Sequence, residues 1–308
     1  MDYLATTFLN QIASEIFTDN ALVQEWTFRY RFNPEYKDYP HKCEESSNWD
    51  RNPKISIADL IAKEIGGDYH KSISQQIREV IQKIYQAYRA EMELDGISED
   101  QLRGKRGGGR QGDNAPWRVV DRWLWNDKYY RWSQDYIWNS WKEKAQANKE
   151  WIRFSDSTPY SGAKAMVMPA SKPKETLPVN TPLNLAIEVD SAGSHILLFN
   201  RGQDIEGKTT KYLIAPSQAF APDYRLAEKS ITMPQQEAMC PDIQFNAEGK
   251  EEYIGIVVDD SLDLPWLYTD DENPYLEWQG KHLNELWQKL HSLEKWQVFY
   301  RDFDVVAA

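Results

Sequence analysis

Cysteine, histidine in ligand spacing and long apolar runs are what this sequence has little of. Cys43 and Cys240 are the only cysteines in 308 residues, too few for a disulfide framework or a cysteine-rich zinc module. Two free thiols in a reducing cytoplasm are expected, with one bridge across the two halves as the alternative. No stretch approaches the roughly eighteen apolar residues of a membrane helix. Met1-Asp2-Tyr3-Leu4 lacks the basic and apolar regions of a signal peptide. A cytoplasmic protein without membrane contact is the expectation.

The chemistry of catalysis is equally sparse. None of His41, His70, His195, His282 and His291 falls in a metal-ligand spacing, and His41-Lys-Cys43 is a single pair where zinc requires four ligands. Cys240 sits between Met239 and Pro241 without a helix start or flanking glycines to lower its pKa. The acid runs Asp259-Asp260 and Asp270-Asp271-Glu272 lack the alternating oxygens of a calcium loop. Gly104 and Gly109 have the spacing of a Walker A loop, but Arg110-Gln111 stands where Lys-Ser/Thr is needed and no apolar strand precedes it. Neither metal, cofactor nor catalytic residue is expected.

What the chain has is aromatic side chains and an uneven charge. Aromatics make up 13% of the residues and thirteen are Trp, the composition of a folded protein. The net charge is −12, yet residues 103–153 carry twelve bases against six acids. That stretch opens with Arg103-Gly-Lys105-Arg106-Gly-Gly-Gly-Arg110 and continues into an aromatic block from Trp117 to Phe154. Any polyanion would have to be met there, through the loop and through Arg118, Arg122, Lys128 and Arg131. The broad apolar face of Trp123, Trp125, Tyr129, Trp132 and Trp141 predicts that these rings form the core of an N-terminal domain.

The period of the apolar residues divides the chain. Leu4, Phe8, Ile12 and Ile16 predict a helix over 3–18, capped by Asp2. Residues 22–32 fit a helix or an alternating strand, with helix preferred. Asn33 to Lys54 reads as a loop. Ser56 with Asp59 forms an acidic capping box for a helix ended by Gly66-Gly67. Ile73 to Met92 gives a longer helix, Ser98 with Gln101 caps one more turn, and Pro116 opens the aromatic helix. Helix, break and helix over 56–92 outline a hairpin, with a helix-turn-helix as the alternative.

From Leu183 the period becomes two. Strands are predicted at 183–189, 195–199, 211–215, 225–233, 252–258 and 296–306, with a short helix through Leu283, Leu286, Trp287 and Leu290. The expected class is α+β. An all-helical domain over 1–154, with its basic Gly-rich loop at 103–112, precedes a Pro-rich linker at 155–182. An antiparallel β-sandwich-like domain with one helix fills 183–308.

The run Leu197-Leu-Phe-Asn200, then Pro216-Ser217, Met233-Pro234 and the Gly-containing approach from Glu248 to Val258, resembles the cyanobacterial-type branch of the domain of unknown function 4384. The likeness covers about residues 178–306; nothing comparable is recognised in the N-terminal part. Members of that family look like accessory β domains attached to kinase or caspase-like modules of bacterial signalling proteins. The resemblance therefore implies a recognition domain, and a protein partner such as a caspase-like peptidase or another effector.

Together these readings predict a non-enzymatic regulatory protein that recognises a protein partner through its β domain. Trp266, Tyr268, Tyr275 and Trp278, in an acidic connection, are the expected contact residues. Cleavage in the exposed Arg/Gly loop, at Arg103, Lys105, Arg106 or Arg110, would control it. A nucleic-acid-binding regulator using the hairpin and the basic aromatic block is the alternative.

Overall fold

The structure, a computed structural model, describes residues 2–17, 21–42, 55–103, 112–157, 175–191 and 193–307. Most helices precede the strands, so the α+β class holds. The chain divides into two compact units, Met1–Ser133 and Gln134–Ala308.

In the first unit, α1 (Tyr3–Ile16) buries Leu4, Phe8 and Ile12 as its period requires, although the Asp2 side chain makes no capping bond. The ambiguous stretch is a helix, α2 (Leu22–Arg31). A short 3-10 turn, Pro34–Tyr36, follows it. The expected capping box starts α3 (Ile57–Ile65): Ser56 N donates to Asp59 Oδ2 at 2.8 Å and Asp59 N to Ser56 Oγ at 3.3 Å. Gly66 ends it at φ +72°, a conformation glycine adopts without steric cost.

The longest helix, α4 (Ile73–Leu94), turns its Ile and Val stripe inward and breaks its helical geometry at Tyr88. The short α5 (Glu99–Leu102) carries the predicted Ser98/Gln101 box. Pro116 opens α6 (Pro116–Trp123), which passes through a π-helical turn at Leu124–Lys128 into α7 (Tyr129–Lys144). Trp123, Trp125, Tyr129 and Trp132 surround Tyr88 and Phe8, with ring centroids 5.3 to 5.8 Å apart. Trp123 and Tyr129 are core of the first unit, as expected, while Trp125 and Trp132 are half-buried.

The rest of the block is not part of that core. Gln134 onward, with Trp138, Trp141, Trp151 and Phe154, belongs to the second unit, which corrects the expected boundary at 154. Both ends of the proposed linker at 155–182 contain strand, and residues 158–174 lie outside the described residues. Strand β1 (Ile152–Asp156) pairs with β3 (Leu183–Glu188), and β2 (Thr176–Pro178) lies parallel to the last strand. Strands of three to five residues with a proline carry too little alternation to be told from linker.

The second unit contains two sheets. The smaller has the order β1-β3-β6, with β6 at Ser230–Met233. The larger has the order β2-β9-β7-β4-β5-β8, its strands being β4 (His195–Gln203), β5 (Thr209–Ala215), β7 (Gly249–Val258), β8 (Leu276–Glu277) and β9 (Trp296–Val306). All pairs are antiparallel except β2 with β9, so the sheet is mixed where a purely antiparallel one was expected. The β8 strand had no sequence signal.

Ile152, Phe154, Leu185 and Ile187 of the small sheet share one core with Ile196, Leu198, Tyr253, Val257, Phe299 and Phe303 of the large one. Because side chains alternate along a strand, Leu197, Phe199, Ile254 and Ile256 face the other way. There they are buried with Trp138 and Trp141 of α7 and with Leu286 and Trp287 of α8 (Gly280–His291). Trp141 lies 6.3 Å from Phe199 and 6.2 Å from Trp287, ring to ring. The unit is therefore a sandwich with a helical layer on its larger sheet.

Candidate interaction surface

Among the described residues no group of three His, Cys, Asp or Glu side chains could hold a metal ion. Ser56, Asp59 and His70 do meet: Ser56 Oγ donates to Asp59 Oδ2 at 2.7 Å, and His70 Nε2 lies 2.9 Å from Asp59 Oδ1. The carboxylate stands between hydroxyl and imidazole, so the imidazole bonds Asp59 rather than the hydroxyl, and Ser56 is fully buried. The trio belongs to the start of α3. Burial, and then Asp242, push the Cys240 thiol above its ordinary pKa, which leaves less thiolate. Cys43 lies outside the described residues.

The expected phosphate contacts are largely committed to partners within the first unit. Arg131 grips Asp95 with both guanidinium nitrogens at 2.9 and 2.5 Å, and Asp95 also accepts the Trp123 indole N–H at 2.7 Å. The Lys128 ammonium is 2.7 Å from Glu91 and 4.2 Å above the Tyr88 ring. Arg118 pairs with Asp113 at 2.9 Å, while Arg122 is exposed. A phosphate would have to compete with a carboxylate at three of the four positions. Of the cleavage-loop residues, Arg103 is described and pairs with Glu99 at 2.6 Å; Lys105, Arg106 and Arg110 lie outside the described residues.

The acidic connection behaves differently. Residues 259–278 hold seven acids and no Lys, Arg or His. None of the seven forms an ion pair with a described residue. Tyr268 and Tyr275 project from this stretch at 66% and 54% exposure. Trp266 is half-buried, its indole N–H donating to Glu285 at 2.9 Å. Trp278 corrects the expectation: it is fully buried, stacks on Trp138 at 5.1 Å and donates to Asn200 O at 3.1 Å. Three of the four expected aromatics therefore reach solvent, and the fourth is core.

Local hydrogen bonds hold this surface in shape. Asp270 Oδ1 accepts the N–H groups of Glu272 and Asn273 at 3.1 and 2.7 Å, the self-bonded turn that Asp favours. Gln218 N donates to Thr269 Oγ1 at 2.8 Å and Ala219 N to Pro274 O at 2.8 Å, so the segment after β5 ties the connection to the sandwich. Met239, 53% exposed, joins the same segment through its N–H to Gln218 O at 2.9 Å.

Beneath the exposed rings lie half-buried ones. Tyr212 stands edge-on to Tyr275 at 5.5 Å. Burial raises its phenol pKa, with Glu277, Tyr275 and Asp204 adding to the rise. The Tyr224 phenol is raised in the same way by burial, then by Tyr268 and Asp223. The outcome is an aromatic surface at the β8 edge of the large sheet, bordered by carboxylates that form no ion pair with a described residue.

Two buried polar clusters left no trace in the sequence pattern. Arg31 is 1% exposed; its guanidinium donates to Tyr39 O at 2.9 Å and Lys37 O at 2.7 Å and lies 4.1 Å over Trp117. His41 stands edge-on to the same indole at 5.4 Å. Glu251, between the two sheets, accepts from Asn200 Nδ2 at 2.7 Å, and burial raises its pKa. Arg31 sits in an alternating polar and aromatic run that could not show which residues turn inward. Comparison with protein-family models, with curated proteins and with solved structures finds no match for this chain.

Proposed function

We propose that the chain is a non-enzymatic interaction protein whose β unit recognises a protein partner at the β8 edge. The observation that carries this reading is the pair Tyr268 and Tyr275, more than half exposed on a hydrogen-bonded scaffold and backed by Tyr224 and Tyr212. Tyrosine serves this role well, because it presents a large rigid surface with a polar tip at little entropic cost. A regulatory β domain akin to the domain of unknown function 4384 over residues 178–306 fits the same reading. Nucleic acid has less support, since Arg118, Lys128 and Arg131 already hold carboxylates.

The test compares proteins retained from a cell extract by the wild type and by Tyr268→Ala/Tyr275→Ala. Stability should change by no more than about 1 kcal/mol, as for exposed residues, while the retained partner is lost. Identical capture by both proteins would remove the reading.

A further inference from the structure

We propose that the occupant of this surface is an extended arginine- or lysine-rich segment of another protein. The inference rests on the preceding reading and names the chemistry of its partner.

Three observations converge on a cationic peptide. The first is charge. Asp271, Glu272 and Glu277 are exposed, none is in an ion pair with a described residue, and no base occurs in 259–278. An acidic or neutral partner would leave those charges to be desolvated without compensation, whereas a basic one neutralises them. The second is the type of apolar surface. Exposed phenol rings offer faces to guanidinium and ammonium groups, and an aromatic face beside carboxylates attracts a cation through both its quadrupole and its neighbours.

The third is backbone. β8 is the last strand of the large sheet on this side and is only two residues long, paired to β5 through Tyr212↔Glu277 and Leu213↔Leu276. An extended segment laid along that edge would place alternate side chains toward the tyrosines and carboxylates. Lys211, next to β8, is half-buried against Gln134 and the Trp278 ring, and burial lowers its pKa against the pull of Asp135 and Glu277. It would not oppose a cation as a solvent-facing lysine would.

The experiment is fluorescence anisotropy of a labelled arginine–glycine peptide titrated with the full chain at low and at physiological salt. A glutamate–glycine peptide of equal length is the control. Saturable binding of the cationic peptide alone, weakened by salt, is expected. The isosteric variant Asp271→Asn/Glu272→Gln/Glu277→Gln should bind about tenfold more weakly, and Tyr268→Ala/Tyr275→Ala at least as weakly. Equal affinity of the charge variant and the wild type would overturn the proposal.

If the tyrosine variant still loses its captured partner in that case, the preceding reading survives and only the basic chemistry falls. If it loses nothing, both fall. Sedimentation covers the remaining occupant, because the chain carries its own Arg103-Gly-Lys-Arg-Gly-Gly-Gly-Arg110 segment. Self-association abolished by the same substitutions would place a second copy on the surface and overturn the assignment to another protein.

Discussion

Trp278 stacks on Trp138 with ring centroids 5.1 Å apart and planes 12° from parallel, and both indoles are fully buried. One ring comes from the end of the acidic connection and the other from α7, so the pair fastens the helical layer to the large sheet. Trp278→Ala is expected to cost about 3–5 kcal/mol, the range for emptying a buried aromatic site. Chemical denaturation checks it. A loss below about 1 kcal/mol would mean that the ring is dispensable and return Trp278 to the surface candidates.

Gly255 shows how tightly the other face of that sheet is filled. A Cβ at 255 would lie 2.6 Å from Trp151 Cζ3, and Trp151 also packs on Phe299 at 5.6 Å. Gly255→Ala should therefore destabilise by about 1–3 kcal/mol, through overpacking. In a Trp151→Leu background the added methyl has room, and the cost should fall. A double-mutant cycle measures the difference; a coupling energy of zero would rule out the contact as the reason for glycine.

Asp95 gathers three nitrogens, the Trp123 indole and two from the Arg131 guanidinium. Asp95→Ala leaves a buried indole N–H without its acceptor and should cost about 1–3 kcal/mol. Arg131→Ala should cost less, because its side chain is 46% exposed and solvent screens the pair. If Arg131 instead served phosphate, its removal would reduce the affinity and salt slope of nucleic-acid binding while leaving stability unchanged. Thermal unfolding and filter binding of the same variant separate the two.

Local signals were legible and distant ones were not. Ser56 with Asp59, Ser98 with Gln101 and Pro116 each mark a helix start within three residues, and each does so in the structure. The alternation from Leu183 to Glu188 likewise declared its strand. Trp151 and Phe154 read as helical core because nothing nearby reveals that their neighbours are Phe299 and Tyr253. Trp278 read as a surface residue because its acidic surroundings are local, whereas the stack that buries it comes from residue 138. Tyr268 and Tyr275 were legible because the same local rule, aromatics amid acids, applies where the rings stay exposed.

The Arg31 cluster predicts a dependence of stability on pH with two opposing parts. Burial, with Arg31 and Arg118 nearby, lowers the His41 pKa to about 4, and Nε2 is buried without a partner. A folded state that keeps His41 neutral is favoured fully above pH 6.5, and that contribution is lost as pH falls toward 4, by at most about 3 kcal/mol. Asp121 is raised to about 6 by burial, against the pull of Arg31, Lys37, Arg118 and Arg122. Its protonated form suits the fold, so its contribution is complete below about pH 4 and is lost as pH rises through 6.

Between pH 6.5 and 4 the two therefore offset each other, and the wild type should show a nearly flat profile from this cluster. Removing either group exposes the other. Asp121→Asn should raise the melting temperature at pH 7.5, with the gain vanishing by pH 4, and should then leave the acid sensitivity of His41 uncovered. His41→Phe keeps an aromatic ring beside Trp117 and should gain stability on acidification from pH 6.5 to 4.5, through Asp121, where the wild type stays nearly flat. Melting curves for both variants across that range settle the matter: parallel profiles for wild type and His41→Phe would mean that the imidazole is not held neutral by its burial.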